Sequence, residues 1–233
     1  MLKRLACLSL IGLSALGCSK ETTSSENIKT GGIAALIDVY ADGASKARVH
    51  VELRVGGSSS NAYVDLEGGD KLIATADGDS KTLQAVDTGI YEGEFTGVGE
   101  DTEFSVTLER PDDTTASDNS GSLPAPFDLV APADDLSREK DELEVTWDPG
   151  SGDSMELEFE GDCIFDYQKG VPDEGSYRVR PDTLNSTGGN EPEACDVELT
   201  AVRTRAGVAD GKFDRESWFR LHQRRRVKFV SNP

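Results

Sequence analysis

Apolar and polar residues alternate with a period of two along much of this chain. Every second residue between 47 and 55 is apolar, and the segments 143–147 and 155–160 repeat the pattern. One apolar face and one charged face are what a strand in a half-buried antiparallel sheet requires. Helical periodicity is nearly absent, and glycine- or proline-containing turns recur between the short segments. The pattern therefore predicts an all-β fold made of antiparallel β-sandwiches.

One polar stretch divides the chain into two parts. Residues 111–122, PDDTTASDNSGS, begin with proline and have no apolar pattern, so we interpret them as a linker, with a long loop as the alternative. Residues 33–110 precede the linker and form the first predicted sandwich, and residues 123–233 form the second. The first part suits an immunoglobulin-like sandwich because it contains seven candidate strands, near 33–40, 47–55, 62–66, 71–76, 82–86, 90–96 and 102–109.

The second part resembles a fibronectin type III domain. The segment Leu143-Glu-Val-Thr-Trp147-Asp-Pro149 is similar to the second strand of that family, whose tryptophan packs into the core. Residues 155–159 stand where its third strand runs, Arg180-Pro-Asp-Thr183 resembles the turn before its sixth strand, and residues 195–201 resemble the sixth strand. The resemblance implies a scaffold and no particular activity.

The resemblance also implies a disulfide bond between Cys163 and Cys195. The third and sixth strands of the family are antiparallel neighbours, and the two cysteines lie at ends of these strands that meet in space. Such a bridge would constrain the unfolded chain by about 3–4 kcal/mol. Cys195 stands where the family usually carries a tyrosine, so the bridge would take the place of that tyrosine's hydrogen bond.

The N-terminus has the organisation of a secretory signal. A basic start is followed by an apolar run over residues 5–16, which is shorter than the roughly 20 residues a membrane-spanning helix needs. Ala15-Leu16-Gly17-Cys18 resembles the bacterial lipobox, in which the cysteine is acylated before cleavage. We therefore expect residues 1–17 to be a lipoprotein signal peptide and Cys18 to be the lipid-modified first residue of the mature chain.

Ordinary cleavage after Gly17 is the alternative, because Ala15 and Gly17 also form a small-x-small site. Cysteine parity favours lipidation, since a Cys163–Cys195 pair would otherwise leave Cys18 as an odd thiol in an exported protein. By the same resemblance, Ser19 implies the outer membrane in a Gram-negative cell, with the protein facing the periplasm or the surface. Residues 18–32 are polar and predict a flexible tether.

The charge of the chain limits the classes of partner that it can bind. The chain carries a formal net charge of −20, which repels nucleic acid on average. The C-terminal segment 201–233 nevertheless holds nine Lys or Arg against three Asp or Glu. The expected partners are the membrane, through the lipid anchor at Cys18, and an anionic envelope component, a polysaccharide or a protein.

The excess positive charge near the C-terminus follows a strand pattern. If Val227 and Phe229 face the core, one outer face carries what we call the basic stripe: Arg220, His222, Arg224, Arg226 and Lys228. These cations could pair with acids on neighbouring strands, namely Glu156, Glu158, Glu160 and Glu198, which is the interpretation we favour. They could instead contact an anionic lipid or polysaccharide, together with Trp218 as an exposed aromatic.

Catalytic and metal-binding motifs are not apparent. The chain has two histidines and no GxSxG motif, and its carboxylates are too numerous to single out a catalytic pair. We expect no catalytic residues, no metal and no cofactor. The sequence thus predicts a non-enzymatic, lipid-anchored envelope protein with a binding or structural role. An accessory carbohydrate-binding protein using Trp218 and the basic stripe is the alternative, and a hydrolase is a more distant one.

Overall fold

The computed structural model describes residues 20–43, 45–150, 153–188 and 193–233. Within these ranges no helix is long and apolar enough to cross a membrane. The described part of the chain contains two single-turn 3-10 helices, at Ser25–Asn27 and Thr30–Gly32. The remaining elements are strands: β1 Glu21–Ser24, β2 Ile33–Ala41, β3 Lys46–Val55, β4 Ala62–Asp65, β5 Lys71–Ala76, β6 Asp79–Thr82, β7 Gln84–Asp87, β8 Ile90–Thr96, β9 Glu103–Glu109, β10 Ala116–Ser122, β11 Leu129–Val130, β12 Leu143–Trp147, β13 Ser154–Glu160, β14 Tyr167–Val171, β15 Ser176–Val179, β16 Cys195–Ala206 and β17 Trp218–Ser231.

A single large sheet runs through the molecule. Its strand order is β1-β4-β3-β2-β17-β16-β13-β14, with β8 also paired to β3 and β7 paired to β8. Two smaller sheets cover its inner face, one of order β10-β9-β5-β6 and one of order β11-β12-β15. The chain is therefore all-β, as the alternating pattern predicted.

Two apolar cores lie between the large sheet and the smaller ones. The first joins β2 and β3 to β5 and β9, with Ile37, Val49 and Val106 fully buried. The second joins β12 to β13 and β16, with Leu157 fully buried and Trp147 5% exposed. Trp147 is thus in the core, and β13 and β16 are antiparallel neighbours, as the fibronectin type III resemblance implied.

Strand β17 belongs to both sandwiches. Residues 218–223 pair in parallel with β2 of the first sandwich, while residues 220–231 pair antiparallel with β16. Phe219 and Leu221 pack in the first core and Phe229 packs in the second. A boundary at residues 111–122 therefore does not separate two independent units.

Strand positions in the first half agree closely with the alternation, except near 82–86. That predicted strand falls on the break between β6 and β7, where the buried Leu83 lies. An apolar residue between two short strands produces the same local pattern as one continuous strand.

The predicted linker is a strand of the first sandwich. Residues Ala116–Ser122 form β10 and pair antiparallel with β9. The side chain of the fully buried Asn119 donates to the carbonyl of Val106 at 2.8 Å and accepts from the amide of Asp210 at 2.8 Å. Hydrogen bonds therefore hold this strand in place, and such bonds leave no alternation of apolar residues in the sequence.

The predicted tether is also ordered where the structure describes it. Strand β1 pairs in parallel with β4. The buried guanidinium of Arg110 donates to the carbonyls of Ser25 at 2.6 Å and Ile28 at 3.0 Å. Low apolar content led to the prediction of flexibility, but one buried arginine holds this segment through its backbone.

The predicted disulfide is confirmed. Cys163, just after β13, is bonded to Cys195 at the start of β16, and their Cα atoms are 5.7 Å apart. The bridge fixes one end of the antiparallel β13–β16 pair.

Candidate binding groove

Strand β17 presents alternate residues to the two faces of the large sheet. Phe219, Leu221 and Phe229 point into the cores, while Arg220 and Arg226 are exposed on the outer face. The structure therefore places the members of the basic stripe on one face. In the large sheet, β2 is the neighbour of β17 on one side, and β16, followed by β13, lies on the other side.

Three cations of the basic stripe contact carboxylates. Arg224 binds Asp42 through two hydrogen bonds of 2.7 and 2.8 Å. Arg226 and Lys228 share Glu198, at 3.7 and 3.9 Å, which is beyond hydrogen-bond distance. Exposed pairs such as the two at Glu198 contribute about 0–1 kcal/mol to stability, so Arg226 and Lys228 are only loosely neutralised.

Arg220 is held differently. Its guanidinium lies 4.3 Å from the centre of the Trp218 ring, and the indole nitrogen of Trp218 donates to Asp38 at 3.1 Å. Stacking uses the face of the guanidinium and leaves its N–H edge available. Within the described ranges the Arg220 side chain forms no ion pair and no hydrogen bond.

His222 lies at the centre of a polar cluster. Its Nε2 is 2.9 Å from Asp38, its Nδ1 is 2.8 Å from the hydroxyl of Thr204, and its ring stacks on Tyr40 at 4.8 Å. Burial, followed by the charge of Asp38, raises the pKa of Tyr40. Each side chain of the cluster thus contacts at least one other member.

Thr204, His222 and Asp38 are joined in that order by hydrogen bonds. Thr204 lies within β16, whose backbone is paired with β13 on one side and β17 on the other. Backbone N–H groups that are committed to strand pairing cannot form an oxyanion hole beside this hydroxyl. The two hydrogen bonds fix the orientation of the His222 ring between the other two side chains.

An open groove of about 780 Å³ runs over this face of the sheet. One wall is formed by Glu156 and Glu158 of β13 and the other by Arg224 and Arg226 of β17. Its floor is made of the shorter side chains of β16, Thr200, Val202 and Thr204, and Tyr40, Arg220 and His222 line one end. We call this feature the outer-face groove.

The two walls have opposite charge. Burial, and then the neighbouring Glu156 and Glu160, raises the pKa of Glu158. Asp42 lies beside the opposite wall, where it contacts Arg224. Burial would raise the pKa of Asp42, but the hydrogen bonds and charge of Arg224 outweigh burial and lower that pKa. Acidic charge is therefore crowded on β13, whereas the acid beside β17 is well compensated.

The pairing expected for the basic stripe differs in part from the contacts present. Among the described residues, Glu198 contacts the stripe, whereas Glu156, Glu158 and Glu160 form no ion pair within 4.0 Å. Asp42, from the first half of the chain, takes their place at Arg224. Trp218 is only half-buried, but Arg220 covers one face of its ring.

Sequence reasoning missed Asp38, Tyr40 and Asp42 as members of this site. They lie on or just after β2 and reach the groove because β2, near the start of the chain, pairs in parallel with β17, near its end. No local sequence pattern predicts a parallel pairing between two strands that lie so far apart in the sequence. The expected lipidation site, Cys18, lies outside the described residues.

Comparisons with known proteins add little to this description. No protein-family model matches the chain, and no curated protein matches it. Among solved structures, the chain is similar to the chicken CNTN1 FN1-FN3 domains, with 10% sequence identity and a TM-score of 0.29 over 88% of this chain and 68% of that one.

Proposed function

We propose that this chain is a non-enzymatic, exported, lipid-anchored envelope protein that binds a ligand in the outer-face groove. The observation that carries the binding role is the groove itself, in which an acidic wall and a basic wall are held apart on a rigid sheet. Pre-fixed charged groups favour binding because little side-chain freedom is lost when a ligand arrives. Aromatic stacking fixes two of the charged groups that line the groove, Arg220 and Arg224.

Export is supported by the signal-like N-terminus and by the Cys163–Cys195 disulfide. Disulfides persist in oxidising compartments and are rare in the reducing cytosol. Only Ser19 and Lys20 separate Cys18 from the start of β1. Because so short a stretch of chain spans about 10 Å at most, an anchor at Cys18 would hold the β1 edge of the large sheet close to the membrane surface.

A sugar-binding role centred on Trp218 has less support. Arg220 lies over the ring of Trp218 and Asp38 holds its indole nitrogen. A sugar stacking on that face of the ring would first have to displace the guanidinium. We therefore assign ligand contact to the groove between β13 and β17.

Photo-crosslinking in cells that express the full chain tests the binding role. A photoreactive residue replaces Ser154, which lines the groove, and a matched variant replaces Ser176, an exposed serine of β15 in the three-stranded sheet. We expect an adduct at position 154 and none at position 176. Equal labelling at both positions, or no adduct at 154, would contradict a binding role for the groove.

Metabolic labelling with a fatty-acid analogue tests the anchor. The wild-type chain should be labelled and Cys18→Ser should not, because the acyl chain is attached to that sulfur. Cys7→Ser is the matched control and should keep the label, since Cys7 lies within the proposed signal peptide. Label on Cys18→Ser, or an unlabelled wild type, would rule out lipidation at this cysteine.

A further inference from the structure

The register of the three groove strands places opposite charges in the same rows. Glu156 is aligned with Val202 and then Arg224, and Glu158 is aligned with Thr200 and then Arg226. Two strand spacings separate the walls, or roughly 10 Å between backbones. Each row thus presents a carboxylate and a guanidinium across a short, uncharged side chain.

Among the described residues, no cation forms an ion pair with the acidic wall. Glu156 and Glu158 are both half-buried and lie two positions apart on the same face of β13. Within the described ranges neither side chain forms an ion pair or a hydrogen bond. Like charges this close repel each other, and the raised pKa of Glu158 reflects both burial and that repulsion. A ligand cation between them would relieve the repulsion.

The basic wall retains unused donors. Arg224 is committed to Asp42, but Arg226 is 3.7 Å from Glu198 with its side chain 54% exposed. Arg220, at the end of the groove, keeps a free N–H edge above Trp218 among the described residues. These groups can form charge-assisted hydrogen bonds to an incoming carboxylate.

We infer that the outer-face groove binds a zwitterionic ligand, with an ammonium group held by Glu156 and Glu158 and a carboxylate held by Arg226. This inference rests on the proposed binding function and specifies the ligand class for the same groove. A polyanion would meet the acidic wall, and a polycation would meet the basic one. A C-terminal lysine carries both charges on one residue, so its ammonium can contact the acidic wall while its carboxylate contacts the basic wall.

Three small probes test the contributions of the ligand's ammonium and carboxylate separately. Nα-acetyl-L-lysine carries both, Nα-acetyl-L-norleucine lacks the ammonium, and Nα-acetyl-L-lysine amide lacks the carboxylate. Titrated into the purified protein and followed by amide NMR shifts, Nα-acetyl-L-lysine should perturb β13, β16 and β17. The other two probes should bind at least about tenfold more weakly, because each loses one charge-assisted contact. Equal binding of all three, or shifts elsewhere, would overturn the inference.

Variants assign each charge to its wall. Glu158→Gln should weaken the binding of Nα-acetyl-L-lysine about tenfold and leave the binding of Nα-acetyl-L-norleucine, which lacks the ammonium, unchanged. Arg226→Gln should also weaken the binding of Nα-acetyl-L-lysine about tenfold, and it should leave the binding of Nα-acetyl-L-lysine amide, which lacks the carboxylate, unchanged. Arg178→Gln, an exposed arginine of β15, is the control and should have no effect. If crosslinking at position 154 succeeds but Nα-acetyl-L-lysine does not bind, the ligand class is wrong while the binding role stands. If crosslinking also fails, the proposed function itself is contradicted.

Discussion

A chain that ends at Ser122 should not fold, although it contains every strand assigned by sequence to the first sandwich. It lacks Phe213, Phe219 and Leu221, which are 5%, 2% and 0% exposed and pack in the first core. It also leaves β2 unpaired along the edge that β17 occupies in the full chain. An exposed apolar edge strand promotes aggregation rather than folding. Circular dichroism and amide NMR should therefore show an unfolded or aggregated chain.

A point variant of the full chain examines the same dependence without truncation. Phe219→Ala should destabilise the protein by about 3–5 kcal/mol, as expected for a buried phenylalanine. Because β17 belongs to both sandwiches, loss of structure around Trp147 in the second core should coincide with loss in the first. The exposed Val86, 57% accessible, supplies a control in Val86→Ala, which should change stability little. A well-dispersed spectrum from the truncated chain, or two separate unfolding transitions, would show that the sandwiches are independent.

Arg203→Met should be among the most destabilising single changes on the second half of the chain. Arg203 and Asp173 form an ion pair of 2.7 Å with side chains 1% and 4% exposed. The guanidinium also donates to the carbonyls of Ala125 at 2.8 Å and Asp148 at 2.6 Å. Removing one partner of a buried ion pair leaves an uncompensated charge and costs about 3–5 kcal/mol. Thermal or urea unfolding measures the loss.

The double variant Arg203→Met with Asp173→Asn should be more stable than Arg203→Met alone. It removes the stranded charge and keeps an acceptor for the indole nitrogen of Trp147, which donates to Asp173 at 2.7 Å. If the double variant is no more stable than the single one, the uncompensated charge is not the cause of the loss.

The same pair makes stability depend on pH. Burial tends to raise the pKa of Asp173, but hydrogen bonds from Arg203 and Trp147 outweigh burial and lower it. A carboxylate whose folded pKa lies below its unfolded value stabilises the protein above the unfolded pKa. That contribution is lost as the pH falls through the folded pKa. The double variant should therefore lose less stability than the wild type on acidification.

Local patterns predicted the fold well where burial alternates along one strand. In β3 the buried Ala47, Val49, Val51 and Leu53 alternate with half-buried polar residues, and its bounds agree with the prediction to a single position at the N-terminal end. β10 was missed because its order comes from Asn119 and from backbone pairing, which leave no apolar period. The ordered segment after Lys20 was missed because it depends on Arg110, which lies far along the chain beyond β9.

The candidate site was predictable only in part. Alternation placed Arg220, Arg224 and Arg226 on one face, because that follows from the strand period alone. Their partners depend on which strands meet, and the parallel pairing of β2 with β17 brings Asp42 to Arg224 instead of the acids of β13. A non-local contact of this kind carries no sequence signal in a single chain, so the groove could not be anticipated.

The position of β17 in the chain sets a waiting time for folding. Whether the chain emerges from the ribosome or from an export channel, β2 emerges well before β17. At about 5–20 residues per second, the first half waits on the order of ten seconds or more without the strand that closes it. Its open β2 edge must be kept from other chains throughout that interval. The excess of acidic residues before β17, which makes incomplete chains repel one another, is well suited to that task.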